Sequence, residues 1–246
     1  FLPDYPNREL GARVTIRHLL THTGGTGDIF PEYVQRKSEL KKHADFVTMF
    51  GSRPALFEPG TGQRYSNYGF ILLGAIIERL SRVSYYDHVA SKVFAPAGMR
   101  HTDSPVGTPA EPRRATAYVK QGTSWVPNSD TLPWRGTAAG RGYSTVDDLL
   151  RFAEALQNGS LLSNSTFALA TTPHRAGSPY GLGFLIGGSP SAPPVGHSRG
   201  APGMSGELRM FPASGHIFVA LANQGPPGVA SILSREFRQA LAPRLP

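Results

Sequence analysis

Four groups of residues in this chain have the types and the spacing that chemistry requires. Gly196-His197-Ser198-Arg199-Gly200 fits G-x-S-x-G, in which a strained strand-to-helix turn exposes a serine hydroxyl as a nucleophile. Tyr65-Ser66-Asn67 follows the glycine-rich run from Glu58 to Arg64 and offers a phenol for proton transfer near an amide that both donates and accepts. His18 and His22 stand four residues apart, the spacing with which two imidazoles on one helical face hold zinc. Ser38-Glu39-Leu40-Lys41 has the S-x-x-K spacing of a serine activated by a lysine.

Three of these signals weaken against their surroundings. An α/β-hydrolase triad needs an acid and then a histidine after Ser198, and the tail supplies only Glu207, Glu236 and His216, with no aspartate. Ser189-Pro190-Ser191-Ala192-Pro193-Pro194 stands where the elbow's strand belongs, and Ala201-Pro202-Gly203 where its helix belongs. An α/β-hydrolase esterase using Ser198 is kept as an alternative that its flanks disfavour. Leu19 occupies the glutamate position of H-E-x-x-H and no third ligand accompanies His18 and His22, so no metal and no other cofactor is expected. These histidines read as packing and hydrogen-bonding residues. Ser38 lies in a run of lysine and glutamate that produces S-x-x-K by chance on a surface turn.

The elements that must position the remaining residues follow from apolar spacing. Ile16, Leu19 and Leu20 mark a short helix, Tyr68 to Leu80 a longer apolar one, and Tyr85 to Phe94 a third before Pro96 and Gly98. Ser144 with Asp147 reads as a capping box that opens a helix through Leu149, Phe152 and Leu156. Tyr180 to Gly187, Gly206 to Phe211 and His216 to Ala222 alternate as strands, and Pro212-Ala213-Ser214-Gly215 turns the last pair into a hairpin. A closing helix carries Val229, Ile232, Leu233 and Phe237 on one side. Helices in the middle followed by antiparallel strands and a packed helix give an α+β fold.

Composition bounds the function classes. At 246 residues and 39% hydrophobic content the chain can bury a sizeable core. Its longest apolar run, Gly69 to Ile77, falls far short of the roughly 18 residues of a membrane span, and no charged-then-apolar signal segment opens it. The absence of cysteine excludes disulfides and thiolate chemistry. The net charge of +8 is dispersed rather than gathered in a stripe with stacking aromatics, so nucleic acid is not an expected partner. Nothing in the sequence sets an oligomeric state.

Read together, Thr15-Ile16-Arg17-His18-Leu19-Leu20-Thr21-His22-Thr23-Gly24-Gly25, Tyr65-x-Asn67, Gly142-Tyr143-Ser144-Thr145, Tyr180-Gly181-Leu182-Gly183-Phe184 and Gly196-His197 through Gly203 resemble the serine β-lactamase-like family. That family holds class C β-lactamases, D-alanyl-D-alanine peptidases and related esterases. The resemblance covers the chain in order and implies one β-lactamase/transpeptidase-like domain over 1–246. Its mainly helical lobe would span about 15–175, and its antiparallel sheet with the C-terminal helix would span 176–246.

It also implies an acyl-enzyme mechanism on an amide, ester or β-lactam carbonyl of a small or peptide substrate bearing a carboxylate or ester. Tyr65 would be the base or proton relay, Asn67 would bond a lysine and the substrate amide, His197 and Ser198 would orient the substrate, and the Gly200 amide would help hold the oxyanion. Arg199 departs from the family's glycine. The family's Ser-x-x-Lys on its nucleophile helix is not found ahead of Phe1-Leu2-Pro3-Asp4, so the N-terminal strands and that helix are expected to lie upstream. The alternative is a non-catalytic module that binds peptidoglycan peptides. Location outside the cytoplasm, periplasmic or secreted, is implied by the resemblance alone, and a cytoplasmic one stays open.

Overall fold

The computed structural model describes residues 1–30, 32–107, 114–128, 131, 134–187, 193–225 and 228–241. The flank Ser189-Pro190-Ser191-Ala192 lies outside the described residues. The chain forms two compact units that are not consecutive stretches of sequence: Phe1–Pro96 with Thr102–Pro109 and Pro133–Tyr143, and Ala97–His101 with Ala110–Leu132 and Ser144–Pro246. The lobe boundary expected near residue 175 falls inside the second unit.

The first unit is helical: α1 (Arg8–Arg13), α2 (Ile16–Leu20), α3 (Glu32–Gln35), α4 (His43–Phe50), α5 (Asn67–Ser81) and α6 (Tyr85–Val89). Helix α5 is its centre. Ser66 caps it by accepting the Gly69 N–H at 2.9 Å, and Arg82 ends it in the left-handed region. Ile71, Leu72 and Ile76 pack with Phe46 and Phe50 of α4, Leu19 of α2, Leu10 of α1 and Tyr33 of α3. Aromatic rings join this cluster, with Phe50 edge-on to Tyr68 at 5.9 Å between centroids. The helix expected over Tyr85 to Phe94 changes to a π turn over Ala90–Phe94 and ends in the short α7 (Ala95–Ala97). Pro96 explains the change, because its ring supplies no N–H and crowds an α-helical carbonyl four residues earlier.

The second unit holds a hairpin, β1 (Tyr118–Gln121) with β2 (Ser124–Pro127), which sequence reasoning missed. Its main sheet runs β3 (Leu185–Ile186), β4 (Val195–Ala201), β5 (Met204–Phe211) and β6 (His216–Ala222) in that order, all antiparallel. The strand expected over Tyr180 to Gly187 shrinks to two residues, because Gly181 to Gly183 turns back so that the Gly181 N–H reaches the Phe184 carbonyl at 2.9 Å.

Helix α8 (Val146–Gln157) places Ala153 and Leu156 in a cluster with Ile186, Val195 and Met210, and α9 (Asn164–Ala170) follows it. The cap of α8 is Thr145, whose hydroxyl accepts the Asp148 N–H at 3.1 Å, one residue beyond the expected box. Asp148 is fully buried and instead takes the N–H groups of Arg100 and His101. Helix α10 (Val229–Leu241) covers the other face of β5. It buries Ala230 and Ser234 and packs Phe237 on Phe211 and Phe218, while Ile232 and Leu233 are exposed, contrary to their apolar spacing. The reason is polar. Ser234 is needed beneath Glu207, and that requirement turns the helix.

Candidate active site

Tyr65 and Asn67 sit where two segments of the first unit run side by side. The Thr23 carbonyl accepts the Gly60 N–H at 2.9 Å, the His22 carbonyl accepts the Arg64 N–H at 3.0 Å, and the Gly25 carbonyl accepts the Leu56 N–H at 2.8 Å. This close approach requires glycine at 25, where φ is +66° and a Cβ would lie 2.3 Å from the Phe57 carbonyl oxygen. His22, also left-handed at φ 58°, turns its ring under Tyr65 with 4.4 Å between centroids. Its Nδ1 accepts the Ser66 N–H at 3.2 Å, which assigns the ring proton to Nε2.

His18 caps α2, since its Nδ1 accepts the Thr15 N–H at 3.3 Å while the Thr15 hydroxyl accepts the His18 N–H at 3.1 Å. Both histidines thus spend Nδ1 on a backbone N–H.

Asn67 begins α5 and is buried at 5% exposure. Its backbone N–H and its side-chain Nδ2 both donate to Asp28, at 3.1 Å and 2.9 Å. Sequence reasoning missed Asp28. The available signal was an acid closing Gly24-Gly25-Thr26-Gly27, a turn in which Gly25 and Gly27 both take positive φ. Ser38, by contrast, is exposed in a turn after α3, and Lys41 lies with its Nζ 5.1 Å from the Trp134 ring centre. The S-x-x-K letters there are not on a helix.

In the second unit, His197, Ser198 and Gly200 share β4. The strand continues unbroken through Ser198 to Ala201, and Pro202 and Gly203 turn it directly into β5. This corrects the elbow alternative, because no helix follows Ser198. The acid that alternative needs is also committed elsewhere. Glu207 accepts Arg209 Nε at 2.7 Å, the Ser234 hydroxyl at 3.1 Å and the Ser231 hydroxyl at 3.0 Å, whereas His216 Nδ1 meets the Ser214 hydroxyl at 2.8 Å.

Register places Ser198 opposite Glu207 and His197 opposite Leu208, so the two neighbouring side chains leave opposite faces of the sheet. The His197 Nδ1–H donates to the Ser198 carbonyl at 2.9 Å, which leaves Nε2 as the acceptor nitrogen. Burial holds this imidazole below its usual value, against the bond to the Ser198 carbonyl, and Arg199 and Arg209 push the same way as burial. Among the described residues, strand β3 pairs with Val195 and Gly196 of β4, and a Cβ at Gly200 would meet nothing within 4 Å.

A strand carrying His-Ser-Arg-Gly, a capped helix beginning at the Asn of Tyr-x-Asn and an antiparallel sheet between helices agree with a match to the family described as Beta-lactamase over residues 1–242. The chain belongs to the β-lactamase family. It is 31% identical over 231 residues to penicillin-binding protein 4* of Bacillus subtilis, covering 83% of this chain and 49% of that protein. A crystal structure of a penicillin-binding protein from Bacillus halodurans superposes with a TM-score of 0.83 at 28% identity, covering 94% of this chain and 76% of that one. D-amino acid amidase from Ochrobactrum anthropi is similar at 27% identity and a TM-score of 0.72, over 92% of this chain and 67% of that one. The chain spans about half the length of the curated relatives it matches first.

Proposed function

We propose that this β-lactamase-family chain carries the base-side and substrate-binding parts of an acyl-enzyme hydrolase acting on an amide or ester. Tyr65 moves the proton of the attacking hydroxyl, Asn67 bonds the substrate amide, and β4 receives the acyl portion through His197, Ser198 and the Gly200 amide. The acylated serine is assigned to a Ser-x-x-Lys outside these 246 residues, because Ser38 holds the chain's sole match and stands in an exposed turn.

The observation that bears on the substrate is the His197 imidazole, whose Nδ1–H is bonded to the Ser198 carbonyl and whose burial favours the uncharged form. A lysine in its place would bring a fixed positive charge to a β-lactam carboxylate, whereas this imidazole offers an acceptor nitrogen. That supports peptidase, amidase or esterase chemistry over penicillin destruction. The similarity to a D-amino acid amidase points the same way.

The test uses protein expressed from the complete reading frame, a fluorescent penicillin, and intact-mass analysis with peptide mapping. A covalent adduct on a Ser-x-x-Lys serine is expected, and Tyr65→Phe should slow its formation by about 10²-fold or more, as loss of a positioned proton-transfer group does. An adduct mapping to Ser38 or Ser198 would overturn the assignment. Absence of any adduct, with saturable binding of a D-alanyl-D-alanine peptide, would instead establish a binding module.

A further inference from the structure

We infer that Asp28 is the positioning residue that fixes which end of the Asn67 amide serves the site, an inference that rests on the acyl-enzyme reading above. Asp28 Oδ1 accepts the backbone N–H groups of Ile29 at 2.8 Å and Asn67 at 3.1 Å, and Oδ2 accepts Asn67 Nδ2 at 2.9 Å. A carboxylate oxygen has nothing to donate, so the amide can meet Asp28 only through its NH₂ group. The Asn67 carbonyl oxygen is thereby the end of the amide that Asp28 does not hold. An acceptor suits an ammonium group or the N–H of a substrate amide.

Asp28 is itself held. Its carbonyl accepts Arg53 Nη1 at 2.9 Å, and the preceding Gly27 carbonyl accepts the Ser66 hydroxyl, which also caps α5. The acid thus enters the first turn of α5, where a negative charge also complements the helix end. A purely structural cap would contribute stability and nothing else. The two roles separate in Asp28→Asn. This variant keeps the shape of the side chain and one acceptor oxygen for the two backbone N–H groups. It places a donor against Asn67 Nδ2, and the clash is relieved by turning the Asn67 amide over.

The experiment has two arms. In the first, the chain labelled at asparagine nitrogen is followed by NMR, with the Asn67 side-chain signal identified by its loss in Asn67→Asp. One Asn67 NH₂ proton is expected to exchange at least about tenfold more slowly than exposed asparagine amides, as a buried hydrogen bond requires. Asp28→Ala and Asp28→Asn should abolish that protection, and equal protection in all three proteins would overturn the proposal.

In the second arm, the complete protein is acylated. Asp28→Asn should lower the acylation kcat/KM by about tenfold, the worth of one hydrogen bond, with its melting temperature retained. Asp28→Asn with Asn67→Asp should recover most of the loss, because an oxygen again faces the site. A melting temperature that falls while the acylation rate holds would make Asp28 a cap and sink the positioning role. Protected Asn67 protons in a protein that no ester, amide or β-lactam probe acylates would instead refute the hydrolase reading and leave the Asp28–Asn67 clamp standing.

Discussion

The charge state of His197 is set by what surrounds it on β4 and β5. Its value in the folded protein is lowered by burial first and by Arg199 and Arg209 next, partly offset by its bond to the Ser198 carbonyl. A histidine lowered on folding binds fewer protons than it does in the unfolded chain. Its stabilising contribution is therefore complete above about pH 6.5 and is lost as pH falls from there toward the folded value. Thermal midpoints measured from pH 8 to pH 5 should accordingly fall less steeply in His197→Gln than in the native chain. Parallel curves would show that the imidazole is not held neutral by its surroundings. Tyr65, Asn67, His197, Ser198 and Gly200 were legible as candidates because each belongs to a short local pattern. Asp28 was not, because its bond to Asn67 spans 39 residues and depends on a turn that no residue-by-residue reading closes.

At the scale of elements, two glycines of β4 have opposite meanings. A Cβ at Gly196 would lie 2.0 Å from the Leu208 carbonyl oxygen of β5, whereas one at Gly200 meets nothing within 4 Å. Gly196→Ala should therefore cost about 3 kcal/mol or more in denaturant unfolding, since the strands must part. Gly200→Ala should leave stability within about 0.5 kcal/mol while slowing acylation, and a large stability loss there would contradict the open space beside it.

Glu207 and Arg209 carry a second prediction. Both are buried, at 5% and 9% exposure, and Glu207→Ala strands the guanidinium and two hydroxyls, which should cost about 3–5 kcal/mol by denaturant titration. This network explains why α10 was misread. Apolar spacing pointed to Ile232 and Leu233, but the helix obeys the polar face of β5. The strands β5 and β6 were legible because alternation and a four-residue turn are local signals. The hairpin of β1 and β2 was not, since it is held through the Asn223 carbonyl and Pro202, far along the chain.

Over the whole molecule, the described residues build two apolar clusters, one around Phe46, Phe50 and Tyr68 and another around Ala153, Leu156 and Met210. Phe46→Ala and Met210→Ala should each cost about 2–5 kcal/mol. Because the two residues belong to different clusters, the double variant should equal the sum within about 0.5 kcal/mol by chemical denaturation followed by circular dichroism. A shortfall well beyond that would reveal coupling between the clusters.

The family was legible from the order of its motifs along the chain, which survives where individual letters such as Arg199 do not. One feature of the first unit bears on how such sequences can drift. Gly24 and Gly25 are adjacent, yet a Cβ at 24 would make ordinary contacts at 3.5 Å while one at 25 would strike a backbone oxygen. A saturation-mutagenesis library selected for folding should accept many residues at the first position and essentially none at the second. The tolerance boundary would then fall between two identical letters.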